Sequence, residues 1–128
     1  MTTCILVIDD EAAVGRALLR VIGDHETKLI TSGREALDHL RGGASYDVIF
    51  CDLSMPDLGG LDLHQTLGKT RPELLSRFVF VTGGALQQSA KAFFETAQNQ
   101  VLPKPYDLKQ VRTALRSQLE LQERLRKA

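Results

Sequence analysis

Three apolar runs in this chain end on carboxylates or a hydroxyl, and a fourth ends on a lysine. Residues 4–8 (Cys-Ile-Leu-Val-Ile) run into Asp9 and Asp10, and residues 48–51 (Val-Ile-Phe-Cys) run into Asp52. Residues 78–81 (Phe-Val-Phe-Val) lead to Thr82, Gly83 and Gly84, and Val101-Leu102 is closed by Pro103-Lys104-Pro105. Brought together, three carboxylates repel one another by about 4 kcal/mol per pair at contact distance and an effective dielectric near 20, so the group demands a cation. Oxygen donors with few protein ligands suit Mg²⁺, which keeps several waters and takes one or two carboxylates plus a phosphate. Lys104 adds a positive charge and Thr82 a hydroxyl. Such a ring would hold the three equatorial oxygens of a transferring phosphoryl group, with Asp52 as the in-line nucleophile. Read alone, the stretch 46–60 supports a second account equally well, in which Asp52 caps the following helix.

The elements that would gather these residues follow from apolar periodicity. The short β-branched and aromatic runs read as strands buried on both faces, and Met55-Pro56 and Gly59-Gly60 read as turn chemistry. From Ala13 the period becomes helical, with Val14, Ala17, Leu18, Val21 and Ile22 on one stripe and an end near Gly23. Residues 27–31 suggest a short strand near a sheet edge. Ser32 and Glu35 form a capping box for a helix with Ala36, Leu37 and Leu40 inward. Leu61, Leu63 and Leu67 fit a short helix ending before Pro72. Residues 86–97 place Leu86, Ala90, Phe93, Phe94 and Ala97 at helical spacing. Asp107 can cap a last helix with Leu108, Val111, Leu115 and Leu119 inward. Five strands alternating with five helices imply an α/β fold, a doubly wound five-stranded parallel sheet in the flavodoxin-like order 2-1-3-4-5. In that order Asp9, Asp10, Asp52, Thr82 and Lys104 share the crevice outside the carboxyl ends of the strands.

Composition narrows the partners. The 128 residues fit one domain, expected over residues 1–120, with 121–128 as a C-terminal helical tail or linker. Lys plus Arg equals Asp plus Glu at 16 each, so no overall field draws the chain to nucleic acid or an anionic membrane. The apolar run at the N-terminus lacks a basic flank and ends in acids after a few residues, unlike a signal peptide or membrane span. Cys4 and Cys51 both lie in strand-like runs and read as core thiols of a reducing, cytoplasmic setting. At about 3.3 Å per residue, opposite ends of neighbouring strands keep the two about 15 Å apart, too far to pair. His25, His39 and His64 have no second ligand at metal spacing and read as surface residues, while Phe93 and Phe94 read as packing rather than a partner patch.

Asp9-Asp10-Glu11, Asp52 with Met55-Pro56 and Gly60, Thr82-Gly83, and Lys104-Pro105 together resemble the receiver domain of two-component response regulators. The resemblance spans essentially the whole chain. It implies Mg²⁺ held by Asp9, Asp10, Asp52 and the backbone carbonyl of Ser54. It also implies that Asp52 takes a phosphoryl group from a phosphohistidine of a histidine kinase or histidine phosphotransfer protein. Thr82 then moves toward the phosphoryl oxygens, Lys104 pairs with them, and the Lys104-Pro105 bond is cis. The chain would be a signalling phosphoacceptor rather than an enzyme, with at most weak self-phosphorylation and autodephosphorylation. The Phe-Val-Thr-Gly-Gly and Pro-Lys-Pro-Tyr runs look most like receivers that work with hybrid sensor kinases.

Departures from the family pattern bear on the mechanism. The switch position, often Tyr or Phe, is Val101 here, so the signal is expected to travel as a loop shift at Gly83-Gly84 onto helix 86–97. Ser54 and Gly84 stand where the family often carries an acid or amide that orients an attacking water, so slow loss of phosphate is expected. A downstream protein or a phosphorylation-dependent dimer contact is expected on helix 86–97 and helix 107–119, the chain being otherwise monomeric. A phosphorylation-independent interaction scaffold is the alternative. A phosphatase of the haloacid dehalogenase type would need an Asp-x-Asp after the first strand, and a flavin module would need a Ser/Thr/Gly-rich loop in place of Glu11-Ala12-Ala13.

Overall fold

The computed structural model describes residues 3–23, 25–83 and 88–127. Five parallel strands, β1 (Cys4–Ile8), β2 (Glu26–Ile30), β3 (Val48–Asp52), β4 (Phe78–Thr82) and β5 (Gln100–Pro103), form one sheet in the order β2-β1-β3-β4-β5. Between them lie the helices α1 (Ala12–Ile22), α2 (Gly33–Arg41), α3 (Gly60–Leu67) and α4 (Gln88–Thr96), and α5 (Leu108–Lys127) follows β5. A 3₁₀ turn at Pro72–Arg77, not foreseen from the periodicity, leads into β4.

Strand alternation splits the core into two layers. Leu6, Ile8, Ile49, Cys51, Phe78 and Phe80 face α2 and α3, and Phe93 and Phe94 of α4 pack against that layer. Ile5, Val7, Val48, Phe50, Val79 and Val81 face Leu18 and Ile22 of α1 and Val111, Ala114 and Leu115 of α5. Every residue of β3 and β4 is buried, whereas β2 opens with three exposed residues, as an edge strand does. Each fully buried aliphatic or phenyl side chain stabilises the fold by roughly 1.5–3 kcal/mol. The two layers therefore carry the stability, and the polar site can be held against its own repulsion.

Several expectations need correction. His64 is buried rather than superficial, at 7% exposure, and sits edge-on to Phe78, Phe80 and Phe93 with Nε2 3.1 Å from the Leu75 carbonyl. It lies one position after Leu63 on the inward stripe of a short helix, and the aromatic wall that receives it comes from β4 and α4. Leu108 is 45% exposed, because it is the first residue of α5 and the helix begins to bury side chains only at Val111. Ala17 is exposed, and Gly15, close against Leu29, takes the inward place instead. Cys4 is only half-buried and donates its thiol to Glu26 of the edge strand, whereas Cys51 is fully buried and its thiol pKa is pushed far up by that burial. Leu86 and Gly84 lie outside the described residues.

The helix α5 crosses residue 120 unbroken. Its Gln118 and Gln122 side chains both donate to the Ser76 carbonyl, at 2.6 and 3.3 Å, and residues 123–127 are exposed. The carbonyls of the 3₁₀ turn are thus satisfied from several elements, since the Asn99 side-chain amide also donates to Leu75.

Burial lowers the pKa of His64, while the Leu75 carbonyl opposes that shift only in part. The folded state therefore binds its proton less readily than the unfolded chain, whose histidine titrates near 6.5. The stabilisation is full above that value and is lost as pH falls toward the folded pKa. Melting curves between about pH 7.5 and 5.5 should show a drop in Tm that is smaller in His64→Leu, and equal slopes in the two proteins would refute the assignment.

Candidate functional site

The carboxyl ends of β1, β3, β4 and β5 deliver the site. Asp9 follows β1, Asp52 is the last residue of β3, Thr82 the last of β4, and Lys104 follows β5. Backbone bonds that continue the ladders hold these positions. Asp9 N–H donates to the Ile30 carbonyl at 3.2 Å, Leu53 N–H to Val81 at 2.9 Å, and Lys104 N–H to Thr82 at 2.7 Å. The Lys104-Pro105 peptide is cis. At Gly60, the first residue of α3, a Cβ would lie 2.5 Å from the Asp52 carbonyl oxygen, so only glycine lets α3 start this close to the end of β3.

The structure brings Asp9, Asp10 and Asp52 together, with one carboxylate oxygen of each within 4.8 Å of the others. Asp9 and Asp52 are buried and Asp10 is exposed. Each buried acid divides its two oxygens in the same way. Asp9 Oδ1 accepts from the Glu11 N–H at 2.9 Å and Asp52 Oδ1 from the Ser54 N–H at 3.1 Å. Their Oδ2 atoms turn to Lys104 Nζ, at 3.5 and 3.3 Å. Thr82 is buried at the same sheet edge, and Gly83 beside it is close enough to Lys104 that a Cβ would touch the lysine stem at 3.4 Å. Ser54 is exposed in the loop that follows Asp52.

Electrostatics follow from this packing. Burial raises the pKa of Asp9 and outweighs the Glu11 amide and the Lys104 charge, which act the other way. Burial would lower the pKa of Lys104, yet the Asp52 and Asp9 carboxylates prevail and raise it, so the ammonium is firmly charged. One ammonium against three carboxylates leaves the site negative. A cluster of hard oxygen donors with surplus negative charge, open at Asp10, is suited to an oxygen-seeking divalent cation.

One contributor escaped the reading of the sequence. Asp57 leaves the loop after β3 to cap α2, accepting from Ser32 Oγ at 2.6 Å, Arg34 N–H at 3.0 Å and Gly33 N–H at 3.3 Å. Ser32 in turn accepts from the Glu35 N–H at 3.1 Å, as the capping box foretold. The only sequence signal was an Asp after Pro56 in a turn, which names no distant partner. Tyr106, the residue after the cis proline, is half-buried against the layer formed by α1 and α5.

Comparison with known proteins places this arrangement. The family model described as the response regulator receiver domain matches residues 5–116. The sensor kinase CckA of Brucella abortus is 34% identical over 125 residues, 93% of this chain, and the chain spans 13% of that protein's length. A response regulator receiver domain protein from Clostridium thermocellum superposes with a TM-score of 0.79 at 26% identity, covering 96% of this chain and 98% of the other. A CheY-like receiver domain protein from Methanospirillum hungatei superposes with a TM-score of 0.83 at 20% identity, covering 97% and 98%. The family match over residues 5–116 and the sheet order agree, and the chain belongs to the response regulator receiver domain family of two-component signalling.

Proposed function

We propose that this receiver accepts a phosphoryl group onto Asp52 from the phosphohistidine of a histidine kinase or histidine phosphotransfer protein. The observation that carries the reading is the placement of Lys104 Nζ 3.3 Å from Asp52 and 3.5 Å from Asp9, beside the exposed Asp10. Asp9, Asp10, Asp52 and the Ser54 carbonyl would hold Mg²⁺, which when bound neutralises charge on the phosphoryl oxygens. The donor set fits it, being all oxygen and short of positive charge.

An Asp52 carboxylate oxygen attacks phosphorus, the phosphorus–nitrogen bond of the donor breaks, and the imidazole leaves with that electron pair. Asp52 Oδ1 stays oriented by the Ser54 amide. Lys104 exchanges its carboxylate contacts for the incoming phosphoryl oxygens, and the Thr82 hydroxyl donates to another. Roughly two added negative charges then bias the loop after β4, and with it α4 and the α5 face, where a downstream protein or a second phosphorylated copy would bind. Val101 is half-buried and offers no aromatic ring to this movement. Residues 1–120 would form the receiver, with 121–128 a helical tail or linker, in a cytoplasmic protein that contacts neither nucleic acid nor membrane. No helix among the described residues is long and apolar enough to cross a membrane.

Intact mass after incubation with acetyl phosphate tests this directly. A single phosphoryl adduct that requires Mg²⁺ and vanishes in Asp52→Asn is expected, and an unmodified native chain would favour a phosphorylation-independent scaffold. In Lys104→Met the adduct should form about 100-fold more slowly, the order of effect seen when one charge-stabilising group is removed. Binding of Mg²⁺ by the same variant should be undiminished, since a competing positive charge is gone. Hydrolysis of the adduct should be slow, because neither Ser54 nor Gly84 can orient water as an acid or amide does. The double variant Ser54→Asn, Gly84→Glu should shorten the phosphoryl half-life, and an unchanged half-life would count against that account.

A further inference from the structure

We infer that Asp57 sets the cation preference of the acidic site, as a positioning residue that clamps the loop bearing the Ser54 carbonyl against the N-terminus of α2. The inference rests on the reading of that site as a metal site.

The loop from Leu53 to Gly59 is anchored on its near side by the sheet and by α3. Leu53 N–H donates to Val81 at 2.9 Å, Gly60 N–H donates to Leu53 at 3.2 Å, and Met55 is buried in the core. Its far side is held by Asp57. The Asp57 carboxylate takes two of the first backbone N–H groups of α2 and the Ser32 hydroxyl, while Ser32 takes a third N–H from Glu35. These are donors that no residue within the helix could satisfy. The hydrogen bond from Ser32 and then that from the Arg34 amide hold the Asp57 carboxyl well below the usual carboxylate range, so the clamp is charged at neutral pH and favoured by the helix dipole. Backbone contact completes it, because the Leu58 carbonyl lies so close to Gly33 that no side chain fits there.

The consequence falls on one ligand. Asp9, Asp10 and Asp52 sit at the ends of β1 and β3, placed by the sheet itself, but the Ser54 carbonyl moves with its loop. Mg²⁺ demands near-ideal octahedral geometry at about 2.0–2.1 Å, whereas Ca²⁺ accepts irregular shells at about 2.3–2.6 Å. A loosened loop therefore penalises Mg²⁺ more than Ca²⁺. Outer-shell changes cost metal affinity about 10- to 100-fold, and a residue acting through a loop belongs at the low end.

The test is the dissociation constants of Mg²⁺ and Ca²⁺, measured separately by amide chemical-shift titration of the full chain. Asp57→Ala should raise the Mg²⁺ constant about tenfold and the Ca²⁺ constant by less than about twofold. Asp57→Asn, whose Oδ1 still accepts from Ser32 and the Arg34 amide although its Nδ2 cannot accept from Gly33, should recover most of the Mg²⁺ affinity. Equal weakening of both ions would make Asp57 a general stabiliser and overturn the proposal, as would no weakening of either. A native chain that binds neither ion would overturn the metal reading itself, and the native arm of the titration separates that failure from the other two.

Discussion

Two buried carboxylates share one ammonium at the carboxyl edge of the sheet, and the rest of the molecule is arranged around keeping them there. Asp9 and Asp52 each give one oxygen to a backbone amide and the other to Lys104. With Asp10 beside them, the acids repel at about 4 kcal/mol per close pair. Partly buried ion pairs recover little of such a cost in stability, because desolvation offsets the attraction. The site is held against this tension by the two apolar layers on either side of β1, β3 and β4, whose residues each contribute roughly 1.5–3 kcal/mol. It is polar machinery held open by a hydrophobic frame.

The frame has an economy of connections. Lys104 is carried by a backbone bond to Thr82, so the cation and the hydroxyl are set by one junction between β4 and β5. Asp52 is followed at once by a loop that bonds back to β4, enters the core at Met55 and reaches α2 through Asp57. In the same core layer as Met55, His64 of α3 meets Phe93 of α4 beside Phe78 and Phe80. Met55 of that loop and the side chains of α3 and α4 thus belong to one packed layer.

The apolar runs and their terminating residues by themselves determined that this is an alternating α/β chain with its acids and its lysine at the strand ends. A parallel strand buried on both faces has no choice but a continuous apolar run, and its end must be marked by polar or turn residues. Crossover handedness then leaves few sheet orders, and 2-1-3-4-5 is the one formed. The meeting of Asp9, Asp52 and Lys104 across 95 positions of sequence was legible for the same reason, since each closes a strand.

Tertiary structure alone decided what the local pattern left symmetric. Helical spacing cannot tell whether His64 or Ala17 finds a wall or water, because that depends on which neighbour arrives: β4 and α4 supply aromatics to His64, while Ala17 stays exposed. A capping residue recruited from another loop, as Asp57 is by α2, leaves no mark at either end that identifies its partner. The difference is physical. Periodicity and strand ends are imposed by backbone geometry within a few residues, whereas burial of a polar side chain and the choice of its hydrogen-bond partner are settled by chain segments far away in sequence.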